Sequence, residues 1–379
     1  MRPRLAIVVS FAACLLACGE AAADVPGGPT PETPEVPGAP REPRAEEVPS
    51  QRDGTTPSVT TRDTEEAGGR WVDLGQLSDR RHRARDVRAW VPAHEEGARL
   101  PMLVVLDGQG TSEWFRIPET LSALVAEGAI EPWIVLAIDS TVDRTRELGR
   151  TDERFARFLH ETVLPAARAG LPTREGREST AILGYSYGGL AAVAATIARP
   201  DDFGRVIAMS PSLWVAQRDV IARFQHARTL PRRLWIDVGS REPDAEDLIP
   251  YMVGDARDLR DVALDRGLVF GRDVGFDEAL GEGHDMSAAG RRMRAALLFA
   301  LGDRDLSGET PTALSITRYP SHGRRATHAI QTQYERGARL TWPERLVEAH
   351  AGDTTLRRDV AGIDRPLTVR AFGLEATCP

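Results

Sequence analysis

The sequence contains no lysine, so arginine carries all of its positive charge. A coding preference for arginine accounts for that absence, and it singles out no function. A basic surplus is lacking too: 48 Lys+Arg stand against 56 Asp+Glu, a formal net charge of −8. Duplex binding needs a cationic surface to displace counterions, so the balance argues against a nucleic-acid partner. The apolar stretch "LAIVVSFAACLLA", Leu5 to Ala17, falls short of the roughly 20 residues of a comfortable membrane span. Cysteine is scarce: Cys14, Cys18 and Cys378 are all there are, so no disulfide framework is implied. What is present is length. At 379 residues and 41% hydrophobic content the chain exceeds what one core usually fills, about 250 to 300 residues, and more than one folded unit is expected.

The basic start "MRPR" followed by a short apolar run reads as an export signal. It ends in "LLAC", Leu15 to Cys18, which resembles the lipobox of bacterial lipoproteins. The resemblance implies cleavage before Cys18, a diacylglyceryl group on its sulfur, and a place in the bacterial cell envelope on the periplasmic or surface side. An ordinary signal peptide cut near "AAAD", Ala21 to Asp24, is the alternative. Residues 19–69 are crowded with proline and poor in large apolar side chains, a composition that cannot offset chain entropy by burial. They read as a disordered tether giving a folded domain reach from the membrane.

The folded part is expected to begin near Trp71. "RARDVRAWVP" alternates as a strand, whereas "PMLVVLDG" and "PWIVLAID" are continuous apolar runs, the mark of strands buried on both faces. Helical spacing follows in "IPETLSALVAEGAI" and "DERFARFLHETVLPAA". The alternation continues through strand "TAILG", helix "YGGLAAVAATIA", strands "RVIAMS" and "RLWIDVG", a helix from about Asp247 to Arg266, strand "LVFGRDVGF" and helix "AAGRRMRAALLFAL". This order predicts a mostly parallel sheet with helices on both faces over residues 70–302. Beyond it, "ALSITRYP", "THAIQTQYERGARLTW" and "LTVRAFGL" alternate at period two. Residues 303–379 therefore read as a small β-rich domain, with an immunoglobulin-like sandwich as one candidate arrangement. Its size is near the lower limit for independent stability, so it is expected to lean on its neighbour. In the junction "GDRDLSGE", Asp303, Asp305 and Ser307 match odd positions of a calcium loop. The twelfth position is Leu314 instead of glutamate, so a polar linker is the better reading.

"GYSYGG" lies between a strand and a helix, and this is the setting of a G-x-S-x-G elbow. The flanking glycines remove side chains that would clash where the chain doubles back, pushing Ser186 clear at the carboxyl end of a strand. The N–H of Tyr187, next in sequence, is then a natural oxyanion donor at a helix start. A serine needs a base, and the base needs an orienting carboxylate. Downstream, "VGSREPDAED" offers Glu242 and Asp244 in a loop after a strand, and "GEGHD" places His284 in a glycine-flanked loop before the last helix. His82, His94 and His226 lie in polar, surface-like segments, His160 is mid-helix, and His322, His328 and His350 belong to the terminal β unit.

The motifs "VVLDGQG", "AIDSTVDRTREL", "GYSYGGLAA", "SPSLWV", "VGSREP" and "GEGHD", in that order from about Arg85 to Leu301, resemble those of a family of α/β-hydrolase esterases that includes esterase D and bacterial enterochelin esterases. The resemblance implies an α/β-hydrolase fold and a serine carboxylic-ester hydrolase with a small-molecule ester substrate and no cofactor or metal. It implies Ser186 as nucleophile, His284 as base and the loop around Gln109 as second oxyanion donor. In many members the acid lies three residues past the glycine ending its strand, which favours Glu242, with Asp244 as the alternative; Asp237 is disfavoured because it lies within the strand. Arg144, Arg146 and Glu147 are expected to shape a substrate pocket, or to form surface ion pairs, and Trp214 to wall the site or simply fill core. Cytoplasmic enterochelin esterases carry an extra domain ahead of the hydrolase, whereas here a tether precedes it and the added domain follows. Acyl transfer on the same fold, and ligand capture without catalysis by a surface lipoprotein, are the competing functions.

Overall fold

The computed structural model describes residues 65–242, 252–319, 327–351, 354–356 and 367–378. The expected export signal, Cys18, most of the expected tether and Asp244 lie outside the described residues.

Strands β1 (Glu65–Glu66), β2 (Gly69–Leu77), β3 (Arg85–Pro92) and β4 (Met102–Leu106) are followed by helix α1 (Ile117–Ala126) and strand β5 (Ile134–Ile138). Three short helices come next, α2 (Arg144–Leu148), α3 (Arg154–Phe158) and α4 (Leu164–Gly170). Then β6 (Thr180–Tyr185), α5 (Tyr187–Ala198), β7 (Arg205–Met209), α6 (Val215–His226), β8 (Arg233–Gly239), α7 (Met252–Asp265), β9 (Val274–Ala279) and α8 (Met286–Leu301) alternate to the end of the sheet. The sheet order is β1-β2-β3-β5-β4-β6-β7-β8-β9. Pairings from β1 to β5 through β3 are antiparallel, and all pairings from β5 onward are parallel.

The continuous apolar runs are the central strands: every residue of β4, β5, β6, β7 and β8 is buried. Helix α5 packs on β6 and β7 and α7 on β8 and β9, while α8, with α1 against it, covers the opposite face. The sequence of α5 is apolar nearly all round, so it suits a helix sunk at the middle of the sheet. The expected mostly parallel sheet, covered on both sides, is the architecture found.

Several local expectations are corrected. Strands β1 and β2 open the sheet at Glu65, inside what reads as tether, and Trp71 is the third residue of β2. The helix expected over "DERFARFLHETVLPAA" is broken into α3 and α4 by a π-helical turn, Leu159–Val163, ahead of Pro165, which cannot continue the hydrogen-bond ladder. The strand expected in "LVFGRDVGF" starts only at Val274. Before it the chain turns at Gly271, φ +82°, and the Asp273 carboxylate closes that turn by accepting the Val269 N–H at 2.9 Å. Helix α6 has no counterpart in the sequence reading. His82 is not a surface residue: it is buried against Phe158, ring centroids 4.9 Å apart, with Nδ1 2.9 Å from Asp79.

The terminal unit holds β10 (Ala313–Tyr319), β11 (Thr327–Gln333) and β12 (Arg339–Trp342) in one antiparallel sheet. A second contains β13 (Glu348–Ala351), β14 (Thr354–Leu356), β15 (Leu367–Ala371) and β16 (Leu374–Cys378), in the order β14-β13-β15-β16. The terminal unit does lean on the nine-stranded sheet. Strand β12 packs beside β9, and the rings of Phe270 and Trp342 meet edge-on at 4.8 Å. Gln331 donates to the Glu278 carbonyl at 2.9 Å, and the Arg339 fork grips the buried carboxylate of Asp277 at 2.9 and 2.6 Å. In the junction, Asp303 receives Arg205 at 3.0 Å and Arg232 at 2.9 Å, while Asp305 accepts the Ser307 N–H at 2.9 Å. Asp303 thus holds the linker to the sheet, and Asp305 shapes the linker's own turn.

Candidate active site

Ser186 follows β6 directly and precedes α5, with φ 57° and ψ −119°, a conformation that side chains rarely adopt. The turn persists because its backbone is bonded on both sides. The Ser186 N–H donates to the Met209 carbonyl at 3.0 Å, and its carbonyl accepts from Ser212 N at 3.0 Å and Leu190 N at 3.1 Å. It also persists because Gly184 has no side chain: a Cβ there would lie 2.1 Å from the Gly188 carbonyl oxygen. The result is a half-buried hydroxyl at the carboxyl end of a central parallel strand, where open sheets of this kind present ligands.

Ser186 Oγ lies 3.0 Å from His284 Nε2, and His284 Nδ1 lies 3.0 Å from Glu242 Oε2. Thus the structure brings together the expected nucleophile, base and favoured acid. The other Glu242 oxygen accepts the Gly239 N–H at 2.7 Å and the Ser210 hydroxyl. With its side chain fully buried, Glu242 offers the imidazole a fixed acceptor. The loops carrying acid and base are themselves joined. Arg241 N–H donates to the Glu282 carbonyl at 2.9 Å and Gly281 N–H to Ser240 Oγ at 2.9 Å; a Cβ on Gly239 would come 2.4 Å from that same carbonyl. Tyr185 stacks under the histidine, centroids 4.8 Å apart. Burial first, and the Glu242 charge second, push its phenol well above the ordinary range, so it stays neutral.

The remaining expected residues divide. Tyr187 is the first residue of α5, as an oxyanion donor requires, and its ring meets that of Trp214 at 6.1 Å. Gln109 lies exposed in the 3₁₀ turn Gly108–Gly110 after β4, the strand beside β6, and its Oε1 accepts the Ser140 N–H at 3.0 Å. Arg144 is committed inside the protein: its fork holds the buried Asp107 carboxylate at 2.6 and 2.7 Å, and its guanidinium lies 5.9 Å from the Tyr187 ring. Glu147 forms a buried ion pair with Arg85 at 2.7 Å. Arg146 is exposed, pairs with Asp143 at 3.2 Å, and borders a cavity of about 460 Å³ with Arg81, Arg150 and Arg154. Arg146 thus makes a surface ion pair and Glu147 a buried one, and both line that cavity.

Sequence reasoning missed the polar layer beneath the acid. Ser210, in "SPSLWV", bonds Glu242, and Arg292 of α8 donates to Ser210 Oγ at 2.7 Å. Arg292 Nη2 also lies 3.2 Å from Asp237 and 3.7 Å from Glu242. Helical spacing carried the signal: Arg292 shares the buried stripe of Ala288, Ala289 and Ala296.

Residues 78–255 match the family model described as "Putative esterase". Over this segment the chain is similar to that esterase family. Among curated proteins, the chain is 36% identical over 138 residues to the iron(III) enterobactin esterase of Dickeya dadantii (strain 3937), covering 36% of this chain and 32% of that protein. It is 29% identical over 174 residues to the iron(III) salmochelin esterase of Escherichia coli O6:H1, covering 43% and 42%. The matched stretch therefore spans less than half the length of these relatives. Two solved structures share the fold: the BES protein from Bacillus cereus, TM-score 0.50 at 17% identity over 64% of this chain and 98% of that one, and the enterochelin esterase from Shigella flexneri, TM-score 0.50 at 20% identity over 62% and 59%. The expected α/β-hydrolase fold stands, with a small antiparallel β unit added at its carboxyl end.

Proposed function

We propose that the protein is an exported, lipid-anchored serine esterase that cleaves a carboxylic ester through an acyl-enzyme. The observation that supports this most is the relay of 3.0 Å contacts from Ser186 Oγ through His284 to Glu242, in a chain whose residues 78–255 are similar to that esterase family. In the first half-reaction His284 Nε2 takes the hydroxyl proton as Oγ bonds the acyl carbon. Glu242 holds Nδ1–H and balances the imidazolium. The oxyanion rests on the N–H of Tyr187 with the Gln109 turn as second donor. Collapse expels the alcohol, which leaves with the proton from Nε2. Water then repeats the sequence, releasing the acid and restoring Oγ–H.

The relatives are named for enterobactin and salmochelin, and the Tyr187–Trp214 ring pair, one residue along the chain from the serine, favours an ester with a flat aromatic acyl group. The anchor is read from the lipobox at Cys18. The test is covalent labelling of the full-length protein by a fluorophosphonate. Wild type is expected to label and Ser186→Ala not to; unlabelled folded wild type, or labelled variant, overturns the reading. Turnover against siderophore, feruloyl, acetyl-sugar and short-chain aryl esters then ranks substrates, and an added alcohol acceptor reveals any acyl transfer. For the anchor, Cys18→Ser is expected to move the protein out of the membrane fraction.

A further inference from the structure

Beneath the triad acid lies a row of buried charges that runs across two strands into the terminal β unit. Glu242, Asp237 and Asp277 are all essentially without solvent contact. Asp237 on β8 and Asp277 on β9 are register partners in adjacent parallel strands, so their side chains leave the same face of the sheet. Two arginines interleave with these three carboxylates. Arg292, itself buried, reaches Ser210, Asp237 and Glu242 from α8. Arg339, from β12, takes both oxygens of Asp277. The order in space is His284, Glu242, Arg292, Asp237, Asp277, Arg339.

The balance of this row is informative. Three carboxylates against two guanidiniums leave one negative charge, which an imidazolium at His284 neutralises. Removing either arginine leaves buried carboxylates underpaired, and buried charges interact strongly because little water screens them. Burial pushes Asp237 up to about 6, with Arg292 working against that rise and Asp277 and Glu242 adding to it. For Arg292, burial opposes the charge, while Asp237, Glu242 and Asp277 outweigh it and hold the guanidinium charged. The other charged groups at this site lie outside the row. Tyr185 faces His284 from β6, Asp285 caps α8, and Glu282 is held by Arg291 at the surface. Glu278, next along β9, is taken by Arg257 of α7.

We propose that Arg292 and Arg339 are positioning residues that act in series through Asp237 and Asp277 to hold Glu242 aimed at His284 and to offset the negative charge beneath it, so that the terminal β unit is an electrostatic part of the active site. The proposal rests on the serine esterase reading. It assigns the added domain a role in setting the basicity of the histidine, apart from any ligand that domain holds. Neither arginine touches the reacting atoms.

The sign follows from charge. Loss of either cation makes the surroundings of His284 more negative, favours its protonated form, and moves the acid limb of the pH–rate profile to higher pH. Loss of the Asp237 charge does the reverse. The experiment measures the fluorophosphonate labelling rate of full-length protein from pH 5 to 9, with melting temperature recorded alongside. We expect the limb to rise by about half a unit in Arg339→Gln and about one unit in Arg292→Met, and to fall in Asp237→Asn. Arg292→Lys, which keeps the charge and loses the fork, is expected to restore the limb while labelling about tenfold more slowly. A purely structural role lowers melting temperature or rate without shifting the limb in opposite directions. Should Arg292→Met fail to fold, Arg339→Gln, at the partly exposed end of the row, decides alone. An unshifted limb there, in a protein that labels, overturns the proposal; wild type that does not label at all overturns the esterase reading instead.

Discussion

The esterase sheet and the terminal β unit are both built of strands, yet they are held together by different means. Strands β4 to β8 are buried along their whole lengths, so their register is fixed by apolar packing on two faces and their carboxyl ends can carry a strained serine and a buried glutamate. The outer terminal strands bury residues on one side, β16 hiding only Cys378 and β15 Leu367 and Val369, whereas β11 and β12, nearest the large sheet, bury consecutive residues. Where the two regions meet, much of the bonding is polar, through Arg339, Gln331 and Thr341. A two-sided core tolerates a costly active-site turn. The terminal unit lends charge from its edge strand β12.

The largest expected effect belongs to the first region alone. Ser186→Ala is expected to lower ester hydrolysis by about 10⁴-fold or more with the melting temperature unchanged within a few degrees, measured with an activated aryl acetate. Next, Glu242→Gln is expected to cost about 10² to 10⁴-fold, since it keeps the shape but not the charge that holds the imidazole. Asp244→Asn should leave the rate within about threefold of wild type; the opposite ranking would transfer the acid's role to Asp244. Third, Leu183→Ala, in the middle of β6, is expected to destabilise by about 3 to 5 kcal/mol, and Ile316→Ala in β10 by about 2. Equal costs in chemical denaturation would break the contrast between two-sided and one-sided burial.

The smallest effect is a pH dependence. Asp237 has its folded-state value raised to about 6 from 3.8, so its contribution to stability is fully present below about 3.8 and is lost as pH rises through 6. In Asp237→Asn that loss is absent. The variant's melting temperature relative to wild type is therefore expected to climb between pH 4 and pH 6.5 and to level off above, whatever constant offset the unpaired Arg292 imposes.

Much of this was legible before any coordinates. The helix read from "YGGLAAVAATIA" and the strand read from "RLWIDVG" are α5 and β8 residue for residue, because an unbroken apolar segment with turn residues at its ends has few alternatives. Ser186 and His284 were legible because each sits at a strand end or beside a glycine that chemistry of this kind needs, whereas Glu242 was preferred to Asp244 only through the family resemblance. Arg144 shows the limit. Its spacing gave no sign that Asp107, far away in sequence, would claim both prongs of its fork. Arg292 sits among the three arginines of "RRMR", and only its helical spacing from Ala288, Ala289 and Ala296 marks it as the inward one. Partners across a sheet are set by tertiary contact, and local patterns are silent about them.

The grip of Arg339 on Asp277 bears on how this chain can be cut. A trimmed version ending at Gly302, the border that periodicity recommends, would strand an acidic side chain beneath β9 and strip the cover from Phe270. Such a truncation is a poor starting point for crystallisation or engineering unless Asp277 is neutralised along with it.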